Sequence, residues 1–77
     1  MIGNYLATPA STTTFYLKYH LKTKILEIRF QTTETYHYLR VPLQVWQDYY
    51  KEVSAGGSSG KFFNEHIKDK YEFIKIT

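Results

Sequence analysis

Apolar and polar residues alternate along three consecutive stretches in the first half of the chain. Phe15, Leu17 and Tyr19 point one way, and Tyr16, Lys18 and His20 the other. Leu26, Ile28 and Phe30 then alternate against Ile25, Glu27 and Arg29, and Tyr36 and Tyr38 against His37 and Leu39. A period of two in segments rich in β-branched and aromatic residues predicts three half-buried strands, with turns near Lys22-Thr23 and from Thr32 to Glu34. Val41-Pro42 ends this pattern, because proline at a first helical position gives up no intrahelical hydrogen bond. Leu43, Trp46, Tyr50 and Val53 recur at helical spacing, with Val45 and Tyr49 on a flanking stripe and Gln44, Gln47, Asp48 and Lys51 on the polar side. Ser54 to Gly60 is a serine- and glycine-rich connection that stops the helix. Ser58 or Ser59 can cap a second helix that carries Phe62, Phe63, Ile67 and Tyr71. Tyr71 to Ile76 is apolar on both sides and suits a short closing strand.

Strands followed by helices predict an α+β fold. The expected form is an antiparallel meander of three strands, or four with the closing one, covered on one face by two α-helices. The parity of each turn decides which faces meet, since a one-residue slip flips every side chain. An even loop at Lys22-Thr23 sets Leu17 opposite Ile28 and Tyr19 opposite Leu26. An odd loop between the second and third strands places Tyr36 and Tyr38 on that same apolar face, whereas an even one sets them beside Glu27 and Arg29. The odd loop builds one continuous buried face and is the expected one.

With 77 residues, the chain is read as one domain over 12–77, preceded by an arm over 1–11 that docks only if Tyr5 and Leu6 find a groove. It has no cysteine, so neither a disulfide nor a thiolate zinc site can staple it, and the core falls to eight Tyr, five Phe and one Trp. The formal charge of +3 is a mild bias towards polyanions. No apolar run has the roughly 20 residues that a membrane helix needs. The start has neither the order of a signal peptide nor a second-position glycine, so a cytoplasmic protein is expected.

Several of these residues together resemble the KTSC domain, a family named for the C-terminus of some lysyl-tRNA synthetases that also occurs as small stand-alone bacterial and phage proteins. They are Leu26-x-Ile28-x-Phe30, Tyr36-x-Tyr38, Val41-Pro42, Gly60-x-Phe62-Phe63-Asn64, Ile67 and Tyr71. The resemblance runs from about Thr14 to Ile76. It implies RNA binding, as suggested by the synthetase context. Lys18 and His20 stand where the family usually has glycine and aspartate, and Thr32-Thr33 replaces a turn that usually contains glycine. The Ser-x-Gly element occurs twice, as Ser54-x-Gly56 and Ser58-x-Gly60.

Candidate chemistry lies mostly on the face opposite the predicted core. The expected register brings Tyr16, Arg29 and His37 into one row with Lys18 close by, a surface suited to single-stranded RNA, with stacking expected of Tyr16 and His37 and phosphate or base contact of Lys18, Arg29 and Arg40. The competing reading is a solvated face with a Lys18–Glu27 pair, or, with Ile25 and Leu39, a protein-binding or self-associating surface. Tyr36 and Tyr38 could stack bases, but the odd loop makes them core. Arg40, Lys61, Lys68 and Lys70 could extend a basic patch, although Glu65, Asp69 and Glu72 interrupt it. Asn64 is expected to hydrogen-bond the preceding connection. His20, His37 and His66 have no close metal-binding spacing, and no metal site or cofactor is expected. Without a cysteine nucleophile, a glycine-rich phosphate loop or a nucleophile elbow, the chain is read as non-catalytic.

Overall fold

The structure, a computed structural model, describes residues 3–77. Five antiparallel strands lie in sequence order: β1 (Tyr5–Ala7), β2 (Thr14–His20), β3 (Ile25–Phe30), β4 (Thr35–Tyr38) and β5 (Phe73–Lys75). Helix α1 (Leu43–Ser54) and the short α2 (Ser59–Phe62) fall between β4 and β5. The α+β class holds, but three or four strands understates the sheet. The closing strand is β5, and the one left out of the expectation is β1, three residues long and too short to show alternation.

The register follows the parity argument at its centre. Leu17 pairs with Ile28 and Tyr19 with Leu26, while Ile28 faces Tyr36 and Leu26 faces Tyr38. Leu17, Tyr19, Leu26, Ile28 and Tyr38 are therefore buried with Trp46, Tyr49, Phe63 and Ile67 from the helical layer. Tyr36 is half-buried on the same side, against Phe30, Tyr38 and Phe73. Phe15 is the exception to the predicted alternation. A bulge between Thr14 and Tyr16 takes Phe15 out of the ladder and leaves it exposed, and turns Thr14 inward instead.

The arm expected over residues 1–11 is not a free tether between Gly3 and Ala7. Tyr5–Ala7 pairs with β2, the Tyr19 amide donates to the Asn4 carbonyl, and the Trp46 indole donates to the Gly3 carbonyl at 3.0 Å.

In α1 the buried positions are Trp46 and Tyr49, so the apolar stripe is rotated from the expected one and Leu43 is exposed. Pro42 is the cap rather than the first helical residue, and its carbonyl accepts from the Val45 and Trp46 amides. Ser58 caps α2, accepting from the Lys61 amide, whereas Ser54 is the last residue of α1. Ser59 instead joins a buried chain of hydroxyls with Thr8, Thr14 and Tyr49. Gly60 sits where a β-carbon would come within 2.4 Å of Thr13 Oγ1, so its place in the motif is a matter of close packing. The second helix does not run on to Tyr71. Past Phe62 it widens into a π turn over Phe63–Ile67, closed by the Lys68 amide on the Phe63 carbonyl at 2.8 Å. Phe63 and Ile67 stay on the core side, Phe62 stacks on Tyr49, and Tyr71 lies in the connection to β5. Asn64 is exposed on this turn and makes no side-chain hydrogen bond among the described residues.

Candidate functional site

Both helices pack on one face of the sheet, and the other face presents side chains from all five strands. One continuous row crosses it: Tyr5, Lys18, Glu27, His37 and Ile74, each opposite the next. A neighbouring row holds Ala7, Tyr16, Arg29 and Thr35. Tyr16 and Arg29 are thus partners as expected. His37 lies one row further along, with Glu27 rather than with Tyr16.

Glu27 organises this face. Its Oε2 accepts from the Tyr16 hydroxyl, and its Oε1 is shared by His20 Nε2 at 3.0 Å and His37 Nε2 at 3.1 Å. Burial pushes the Glu27 carboxyl up, but the hydrogen bonds from Tyr16, His20 and His37 outweigh it and hold the group below its ordinary value. The same contact, assisted by burial, pushes the Tyr16 hydroxyl up to about 12, so it stays a donor at neutral pH. The Lys18–Glu27 pair expected across the strands does not form. The carboxylate is taken by Tyr16 and the two histidines, and neither Lys18 nor Arg29 makes an ion pair among the described residues.

Two cations without a carboxylate partner therefore flank an aromatic surface. Tyr5 extends that surface: its ring lies 5.5 Å from that of Tyr16 and more than half of the residue is open to solvent. Sequence reasoning passed over Tyr5 because β1 had no pattern, although its aromatic side chain was the one signal in the arm. It also missed the meeting of His20 and His37, which lies in the register itself. Arg40 stands apart from the group, exposed between β4 and α1 and paired with Glu72 at 3.3 Å. Of the expected contact residues, the fold brings together Tyr16, Lys18, Arg29 and His37, and separates Arg40. Lys61, Lys68 and Lys70 are exposed on the helical layer and its exit loop and do not continue this face. Among the described residues, no helix is long and apolar enough to cross a membrane.

A profile of the KTSC domain family matches residues 10–71. A lysine–tRNA ligase from Nostoc punctiforme is 31% identical over 72 residues, which cover 94% of this chain and 12% of the ligase. The chain thus spans about an eighth of that relative's length. A crystal structure of a KTSC domain protein from Yersinia pestis superposes with a TM-score of 0.79 at 31% identity, covering 95% of this chain and 99% of that one.

Proposed function

The chain belongs to the KTSC domain family, and from that membership and the open sheet face we infer a non-catalytic module that binds RNA or single-stranded nucleic acid. The observation that carries this reading is the pairing of Lys18 and Arg29, both free of carboxylates, with the Tyr5–Tyr16 ring pair on a helix-free sheet. Bases would stack on Tyr5 and Tyr16, at about 1–3 kcal/mol per base, and phosphates would meet Lys18 and Arg29. His37, held to Glu27, offers a ring edge beside them. Arg40 is a peripheral contact at best, because its guanidinium is already engaged by Glu72. The tRNA ligase relative is consistent with an RNA context and with a cytoplasmic location.

Retention of mixed-sequence single-stranded RNA on a filter, read across a salt series, tests the proposal. Contacts to two phosphates predict an affinity that falls with salt at a log–log slope of about −1.4, and Arg29→Ala should reduce that slope by close to half. Retention that is absent at low salt, or indifferent to Arg29→Ala, removes the reading.

A second reading has its own observation. Phe73, Ile74 and Ile76 are exposed on and beside the β5 edge, where an added strand from a protein partner or a second copy would pair. Binding of that kind would scarcely respond to salt.

A further inference from the structure

His20, Glu27 and His37 form a compact group, of which the proposed RNA contacts use only the edge of His37. Their nearest ligand atoms, two imidazole nitrogens and one carboxylate oxygen, all lie within 4.8 Å of one another. We propose that this trio is a binding site for a divalent transition-metal ion of the zinc type, set into the open face of the sheet.

Three features of the geometry carry the proposal. First, the ligands come from the adjacent strands β2, β3 and β4, whose ladder fixes their spacing. Glu27 is directly opposite His37 and one step diagonal to His20. Second, the separations suit an ion. In a tetrahedral site with bonds of about 2.0–2.1 Å, neighbouring ligand atoms stand about 3.3 Å apart. The two histidine–glutamate separations, 3.0 and 3.1 Å, are already within a few tenths of that value. The ion would take the place of the protons that the two Nε2 atoms now share with Oε1, and the two imidazole nitrogens, no more than 4.8 Å apart, would have to draw together around it. Third, the carboxylate has an outer contact. Tyr16 holds the remaining carboxylate oxygen, which fixes the carboxylate plane and leaves Oε1 as a monodentate ligand.

The donor set decides the class of ion. Two imidazoles with one carboxylate favour zinc and its neighbours nickel, cobalt and copper, whereas magnesium and calcium call for oxygen ligands throughout. Three protein ligands on a partly solvated face leave a fourth position to water. The third histidine of the chain is a built-in control. His66 lies against Phe62 on the helical layer, with ring centroids 4.4 Å apart, away from this trio.

Calorimetric titration of zinc chloride into the chelator-treated full chain, without RNA, tests the site. The expected result is one ion per chain, an apparent Kd raised at least about tenfold by His20→Gln or His37→Gln, and no change with His66→Gln. Magnesium at large excess should not compete. Binding that is absent, that is lost equally with His66→Gln, or that survives both ring substitutions overturns the proposal. Should either variant fold poorly, nitrogen NMR of the wild-type imidazoles decides: zinc must shift the Nε2 signals of His20 and His37 and leave those of His66 in place, and any other pattern refutes the site.

Discussion

Thr33 occupies the turn between β3 and β4 with a φ of 73°, in the left-handed region, where a β-branched side chain crowds the backbone. This is the turn in which the resemblance expects a glycine. The prediction is that Thr33→Gly stabilises the protein. An L-residue in this conformation costs about 1–2 kcal/mol, and a β-branched one belongs at the upper end. Glycine removes that cost but adds about 0.5–1 kcal/mol of backbone entropy lost on folding. The hydroxyl that disappears donates only to the neighbouring Thr32 carbonyl on an exposed loop, so little else is lost. The turn's own hydrogen bond, from the Thr33 amide to the Phe30 carbonyl at 2.9 Å, is unchanged by the substitution. The difference is a gain of about 1–1.5 kcal/mol, which in a domain of this size raises Tm by roughly 4–12 °C. Thermal and urea unfolding followed by circular dichroism would measure it, with the urea slope unchanged. Thr32→Gly, at a neighbouring position without a positive φ, should be neutral or destabilising. If Thr33→Gly lowers Tm as much as Thr32→Gly, the backbone assignment of this turn is wrong.

Other substitutions probe the core and the open face. Gly60→Ala should cost about 1–3 kcal/mol through overpacking against Thr13, and Thr13→Ala in the same chain should recover most of it, a coupling that double-mutant unfolding would read. Tyr49→Phe removes the donor to the Ser59 carbonyl at 3.1 Å and should cost about 1–2 kcal/mol in urea unfolding; no measurable loss would mean that the buried hydroxyl chain is not formed. Trp46→Ala empties the centre of the core at a cost of about 3–5 kcal/mol, comparable with the whole stability of so small a domain, and circular dichroism at 25 °C should show a largely unfolded chain. Glu27 has a folded-state pKa below its unfolded one, so its stabilisation is complete above the unfolded value of about 4.3 and drains away as pH falls through the folded value. Glu27→Gln should therefore be less stable than wild type at neutral pH, with the gap closing in acid; a gap independent of pH would show that the carboxylate's charge is not what the three donors hold.

The central sheet was legible because period-two patterning and turn parity are local properties, and together they set Leu17 against Ile28 and Tyr36 against Ile28. What stayed hidden had particular physical causes. The bulge at Phe15 inserts one residue without changing composition, so the alternation ran smoothly past it. β1 derives its order from pairing with β2, and a three-residue strand has no period to show, whereas β5 falls inside the apolar Tyr71 to Ile76 stretch where a closing strand was expected. The π turn over Phe63–Ile67 adds a residue to one helical turn, which ends the second helix before Tyr71. On the outer face, the same register that placed the tyrosines inward also set His37 against Glu27 and His20 diagonal to it. Sequence spacing, which puts the two histidines 17 positions apart, concealed a proximity that strand pairing made unavoidable.

In the proposed function, the helix-free face of the sheet is the one that meets RNA. Amide and side-chain NMR of the isotopically labelled chain, recorded while a short single-stranded RNA is added at low salt, addresses this most directly. The signals of Tyr5, Tyr16, Lys18 and Arg29 should move together and saturate, while those of Gln44, Asp48 and Lys51 on the solvent side of α1 stay still. Shifts concentrated on α1, or no shift anywhere at millimolar RNA, would contradict it.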